Sequence, residues 1–176
     1  MKLIRNLVAG ATAGAIAGAV GTAAMDLELY RRYRREGGKD SFWRWESAAG
    51  VMSWDQASAP GQVGRKALRT LTRGVDPPEG WARPTTNLVH WATGISWGVQ
   101  YGALAALTSR RPLLRAAGLG PAAWSASYVL LPLAGVYQPI WKYDAKTLAK
   151  DLSAHLVYGT TASAAFAIAS RRLRDA

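Results

Sequence analysis

Four long stretches of the chain carry no Asp, Glu, Lys or Arg, at 6–25, 84–109, 116–141 and 152–170. Each is roughly 19–26 residues long, and about 20 apolar residues cross the hydrocarbon core of a bilayer as a helix. The pattern predicts an all-α fold, a polytopic membrane protein built as a four-transmembrane-helix bundle. It forms a single membrane domain over 1–176, with spans at about 6–26, 85–107, 116–138 and 151–170. Span one is expected to continue as a charged helix through Tyr30 to Arg35 and to break at Gly37-Gly38. The short turn around Arg110 and Arg111 makes spans two and three antiparallel neighbours, and Pro132 predicts a kink within span three.

Between spans one and two lies an interfacial loop, 37–83, with Trp43, Trp45 and Trp54, residues suited to the membrane–water boundary. Pro60 is a good opener for a helix in this loop. In that helix Val63, Ala67 and Leu71 share one face, with Leu68 beside them, and Arg65, Lys66, Arg69 and Arg73 take the other. This is the pattern of an interfacial helix lying on a membrane, or of one packed on the bundle.

The halves of the chain repeat weakly. Spans two and four each begin with a polar residue, then a His, then a Gly four residues on: Asn87, His90 and Gly94, and Asp151, His155 and Gly159. Spans one and three are rich in small residues and are followed by Asp26 and Asp144. Two duplicated helix hairpins of the same orientation would give this arrangement. Glycines also recur every fourth position, at Gly10, Gly14 and Gly18 and again at Gly94, Gly98 and Gly102. Residues four apart share a helix face, so each stripe is a smooth groove for a second helix backbone. That helix belongs to this chain, or to a second copy or another membrane protein partner.

Composition refines this picture. The net charge is +11, but the cations flank the apolar windows, where they meet lipid headgroups, and no nucleic-acid recognition module accompanies them. No nucleic-acid partner is expected, and the lipid bilayer is. The absence of Cys excludes disulfides and thiolate chemistry. Lys2 and Arg5 could open a signal peptide, but the Gly- and Ala-rich interior that follows suits a retained span better. Basic residues close to the span ends favour cytoplasmic termini.

In this topology the loop 37–83 and the link before span four share one membrane side. His90 and His155 then lie at matching depth, with Asp26, Asn87, Gln138, Lys142, Asp144 and Asp151 near the same face. Polar groups within a membrane are costly unless partnered. Four readings stay open: a structural network in which Asn87 and Asp151 cap helices, a site that binds or relays a small ion or proton, a divalent-metal site, and bis-His haem. The metal reading uses His90, His155 and one or two of Asp26, Asp144 and Asp151. The haem reading uses His90 and His155 as axial ligands, with room for the ring beside Gly94 and Gly159. No cofactor is demanded by the pattern, and G-x-S-x-G, H-E-x-x-H and Walker A motifs are absent.

The run Pro-Leu-Ala-Gly-Val-Tyr-Gln-Pro-Ile-Trp-Lys-Tyr-Asp from Pro132 to Asp144 leads into Ala-Lys-Thr-Leu-Ala-Lys-Asp-Leu-Ser-Ala-His-Leu-Val-Tyr-Gly, ending at Gly159. Together with the glycine-striped first span, Trp54-Asp55 and Gly61-Gln62-Val63-Gly64, it resembles the YagU-like group of small bacterial inner-membrane proteins over most of the chain. The resemblance implies a multi-pass protein of the bacterial cytoplasmic membrane, in a group without an assigned biochemical activity. It implies no catalytic residue.

Overall fold

The computed structural model describes residues 1–108 and 112–175. The turn at 109–111 therefore lies outside the described residues. Six α-helices are described: α1 (Lys2–Arg35), α2 (Phe42–Glu46), α3 (Ala59–Leu71), α4 (Ala82–Leu107), α5 (Pro112–Leu133) and α6 (Ala145–Asp175). Short 3-10 turns precede α3, α4 and α6, and no strand occurs among the described residues. The fold is all-α.

Two helices are long and apolar enough to cross a membrane, α1 and the 145–171 part of α6. At 26 and 22 residues, α4 and α5 are long enough to span. Gly, Ser, Thr, Trp and Tyr dilute their apolar residues, so among the described residues two of the four expected spans reach that level of hydropathy.

Helix ends follow local backbone chemistry. α1 stops where Gly37 adopts φ +94°. Gly38 N–H then donates to Tyr33 O at 2.9 Å and Gly37 N–H to Arg34 O at 3.2 Å, the paired bonds of a Schellman closure. α5 closes in the same way at Gly135, with φ +62° and Val136 N–H donating to Leu131 O at 2.9 Å. The third expected span thus ends at Leu133 rather than near 138. Pro132 lies in the last turn of α5, one residue before its end, rather than at a kink within the helix. α4 and α6 both start earlier than the expected spans.

Contacts divide the chain into two compact units. The first contains 1–28, 93–127 and 144–176. Here the two glycine stripes meet each other. A Cβ added at Gly10 would stand 2.6 Å from Gly102 O, and one at Gly18 would stand 2.6 Å from Gly94 O. Between them, Gly14 and Gly98 each lie against the other's carbonyl oxygen. The order of partners makes α1 and α4 antiparallel. Tyr158 Oη donates to Gly94 O at 2.6 Å, and the Tyr101 and Phe166 rings meet edge to face at 5.1 Å. These two contacts run in the same sequence direction, so α4 and α6 are parallel. α5 meets α6 where Gly120 lies against the carbonyl of His155 and Gly159 against the backbone of Gly120. The interior is built of small side chains, including Ala13, Ala17, Ala123, Ala154 and Ala162, around Leu119 and Tyr158. The larger aliphatic residues Leu3, Ile4, Val8, Ile16, Val20, Leu104, Leu156 and Ile168 point outward.

The second unit contains 29–92 and 128–143. Trp54 is its plug, 1% exposed. Its backbone N–H donates to Glu79 Oε2 at 2.7 Å and its indole N–H to Pro77 O at 2.9 Å, while the Gln62 amide reaches its carbonyl. Of the three loop tryptophans expected at the interface, Trp54 is therefore a core residue, Trp45 packs among Tyr30, Tyr33 and Phe42, and Trp43 is 77% exposed. α2 is tied to α4 by Trp91 Nε1–H donating to Glu46 Oε1 at 3.0 Å, and Ser47 just after it by Arg83 Nε–H donating to its carbonyl at 2.9 Å. α3 packs through Gly61 and Gly64, which lie on Thr85, Thr86 and Val89 of α4. The expected Val63–Ala67–Leu71 face is not the packed one, since Leu71 is 80% exposed. Glycine allows the backbone approach that a Val or Leu face would prevent.

Two substitutions test this packing. Gly98→Leu forces α1 and α4 apart and is expected to cost about 3 kcal/mol, the upper end for overpacking. Gly118→Ala meets open space and is expected to be neutral or to stabilise by up to about 1 kcal/mol. Thermal unfolding of both purified variants in one detergent checks the contrast, and equal midpoints would contradict the packing. Trp54→Ala removes the plug and is expected to cost about 3–5 kcal/mol, read as new protease cleavage within 37–83.

Candidate functional site

The residues gathered by the sequence into one polar layer take distinct places. Asp26, on α1, is 3% exposed. Asp151 and His155 are half-buried on α6. Gln138, Lys142 and Asp144 are exposed. Asn87 and His90 are half-buried on α4 and belong to the second unit, whereas Asp26, Asp144, Asp151 and His155 belong to the first.

The expected capping roles of Asn87 and Asp151 do not hold, because both helices begin more than a turn earlier. Asn87 Nδ2 instead donates to Arg83 O at 3.2 Å within α4. The cap of α6 is Asp144, whose Oδ1 accepts from Thr147 N–H at 2.9 Å and whose Oδ2 accepts from the Thr147 hydroxyl at 2.8 Å. These bonds stabilise the carboxylate and lower its pKa below the ordinary value near 3.8. Gln138 contributes a backbone N–H to Tyr143 Oη at 3.2 Å, and Lys142 lies in the 3-10 turn Ile140–Lys142.

Within the first unit, Asp151 and His155 form the arrangement with chemical content. One turn apart on α6, they bring His155 Nδ1 to 3.0 Å from the Asp151 carbonyl and 3.5 Å from Asp151 Oδ1. A carbonyl only accepts, so the hydrogen resides on Nδ1. Neutral imidazole then leaves Nε2 as its acceptor nitrogen. Asp151 Oδ2 is shielded from solvent and accepts no hydrogen bond. Gly21 of α1 faces Tyr158 and Ala162 of α6, and these two helices are antiparallel because both are ordered relative to α4. That register carries Asp26, five residues beyond Gly21, to the level of Ala154 and His155. A buried carboxyl, a half-buried carboxyl and an oriented imidazole therefore occupy one level of the unit.

Three further participants complete the packing. Thr22 continues the stripe of Gly10, Gly14 and Gly18 at the next fourth position, and its side chain fills the space beside Gly94. Gly120 receives the backbone of α6. Tyr158 follows His155 by three residues and closes on Gly94 O. The fourfold spacing announced Thr22, whereas a lone Gly120 carried no signal. Thr22 lies beside Gly94, and the backbone of Gly120 lies beside Gly159. Among the described residues, no group of three or more His, Asp or Glu could hold a metal ion.

No protein-family model, curated protein or solved structure matched this chain.

The Asp144 cap gives a prediction with a defined sign. A lowered carboxyl pKa contributes stability that is complete above the unfolded value and is lost as pH falls through the folded one. Asp144→Ala is expected to lower the thermal midpoint at pH 7 and to approach the parent protein below about pH 4. Asp144→Asn, which keeps an acceptor, is expected to lose less. Unfolding scans across this pH range check both, and a difference that does not change with pH would contradict the assignment.

Proposed function

We propose that this chain is a four-span, multi-pass protein of the bacterial cytoplasmic membrane, akin to the YagU-like group, whose Asp151–His155 pair takes up and releases a proton. The spans are α1, α4, α5 and α6, arranged as two helix hairpins with both termini in the cytoplasm. Asp26 supplies a second carboxyl at the level of the imidazole.

The membrane reading is supported by an inside-out distribution of side-chain size. Only 33% of the apolar window of α1 and 28% of that of α6 are buried, whereas the core helix of a water-soluble protein is mostly covered. Glycine and alanine face inward, and Leu, Ile and Val face outward. Large exposed apolar surface is unfavourable in water and neutral in lipid. The interlock of Gly10, Gly14 and Gly18 with α4 argues for a retained first span rather than a leader that is removed. The two-hairpin reading is supported by a shared crossing point. The glycine four residues after each His receives a partner helix, Gly94 against Gly18 of α1 and Gly159 against Gly120 of α5.

The observation that carries the proton reading is the tethered imidazole. Its Nδ1–H is engaged by the Asp151 carbonyl, so a proton arrives at and leaves from Nε2. Histidine is the side chain that changes charge in the neutral range. The unpartnered Asp151 Oδ2 leaves a buried acceptor whose cost an incoming cation relieves. The other reading, a structural or interaction subunit assembled through glycine stripes, has to use a different surface, because both three-glycine stripes are consumed within the first unit.

Reconstituted into liposomes enclosing a pH-sensitive dye, the protein is expected to pass protons under an imposed potassium diffusion potential. His155→Ala and Asp151→Asn are each expected to slow the flux about a hundredfold, the low end for a general acid–base group. Thr160→Ala, on the exposed side of the same helix, retains it. Wild-type liposomes no leakier than empty ones would end the proton reading.

A further inference from the structure

In the second unit a shallow groove of about 380 Å³ runs along α3, lined by Gln62, Arg65, Lys66, Arg69 and Thr70. We infer that this groove binds the phosphate of an anionic phospholipid headgroup, with the acyl chains lying along the neighbouring exposed apolar residues.

Three cations and two hydrogen-bonding side chains line the groove, and a single carboxylate answers them. Asp76 Oδ1 accepts from Arg65 Nε at 3.0 Å and lies 3.6 Å from Arg69 Nε. Both guanidinium groups are engaged through Nε, and that geometry leaves their terminal nitrogens to point elsewhere. Arg65 is further fixed by stacking over the Trp54 ring at 5.8 Å, so one side of the groove is preorganised. The Lys66 ammonium lies near Gly135, where an added Cβ would stand 3.4 Å from Nζ. The local balance is three positive groups against one negative, and the planar fork of a guanidinium meets two phosphate oxygens at once.

Lipid, rather than free phosphate, is chosen because of what surrounds the groove. Leu71 and Val75, at the end of α3 and just beyond it, are 80% and 66% exposed. A free anion satisfies the cations and leaves this apolar surface in water. A phospholipid satisfies both, as helices with basic and apolar faces do at a bilayer surface. The α3 face read from sequence as apolar, Val63, Ala67 and Leu71, is left open because the helix packs through Gly61 and Gly64.

This inference rests on the membrane reading, and the test separates the two. Full-length protein is purified in detergent and lipid adducts are counted by native mass spectrometry with phosphatidylglycerol, with phosphatidylcholine, and with inorganic phosphate as competitor. Phosphatidylglycerol is expected to bind at least tenfold tighter than phosphatidylcholine. The double variant Lys66→Gln/Arg69→Gln, which spares the Trp54-stacked Arg65, is expected to weaken it about thirtyfold, from roughly fivefold per cation. Lys2→Gln/Lys146→Gln removes equal charge elsewhere and is expected to leave binding unchanged. Equal affinity for the two lipids, equal loss in both double variants, or displacement by millimolar phosphate would each overturn the inference. Extraction of native membranes with alkaline carbonate tests the underlying reading separately. A chain that is released refutes both, and one that stays but does not discriminate refutes the lipid site alone.

Discussion

Gly14 and Gly98 each lie against the other's carbonyl oxygen, and this backbone contact sets the separation of α1 and α4. It has no side-chain volume to yield, so the neighbouring contacts inherit its geometry. Gly10 and Gly18 meet Gly102 and Gly94 in the same register, and Thr22 fills the next position. The Gly94 carbonyl accepts the Tyr158 hydroxyl and so fixes α6 against α4. That in turn holds His155 at the level of Asp26. In lipid, where apolar tails remove the hydrophobic drive between helices, close backbone packing and interhelical hydrogen bonds are the available forces.

Much of this architecture was legible in the sequence. Each of the four charge-free windows overlaps one long helix, α1, α4, α5 or α6, and the fourfold glycines marked the faces of α1 and α4 that meet. Helix ends were read less well. A window without charge reports where the solvent is apolar, whereas a helix stops where the backbone can close. Gly135 closes α5 at Leu133, and Asp144 opens α6 seven residues before Asp151. Neither event leaves a trace in hydropathy. The α3 face was misjudged because glycine counts as neutral in an amphipathic pattern, yet its lack of a side chain is what lets Gly61 and Gly64 approach α4.

The candidate site was legible in composition and not in partnership. Sequence placed five aspartate and histidine residues near one level. It did not distinguish Asp26, which is buried, from Asp144, which is exposed and engaged in a cap. The difference arises from helix phase. Asp26 continues the inward stripe of Gly14, Gly18 and Thr22, whereas Asp144 precedes the first turn of its helix. Trp54 taught the same lesson: three tryptophans in one loop looked alike, and only the partners Glu79, Pro77 and Gln62 mark one as interior.

The small-residue interior has a thermodynamic consequence. The heat capacity change of unfolding scales with apolar surface newly exposed to water. An interior of Gly and Ala holds little such surface, and in a bilayer the outward Leu, Ile and Val are already solvated by lipid in both states. Under the proposed membrane reading, separation of these helices carries a small heat capacity change. The free energy of the bundle varies almost linearly with temperature, and the loss of stability on cooling that hydrophobic cores undergo is largely absent.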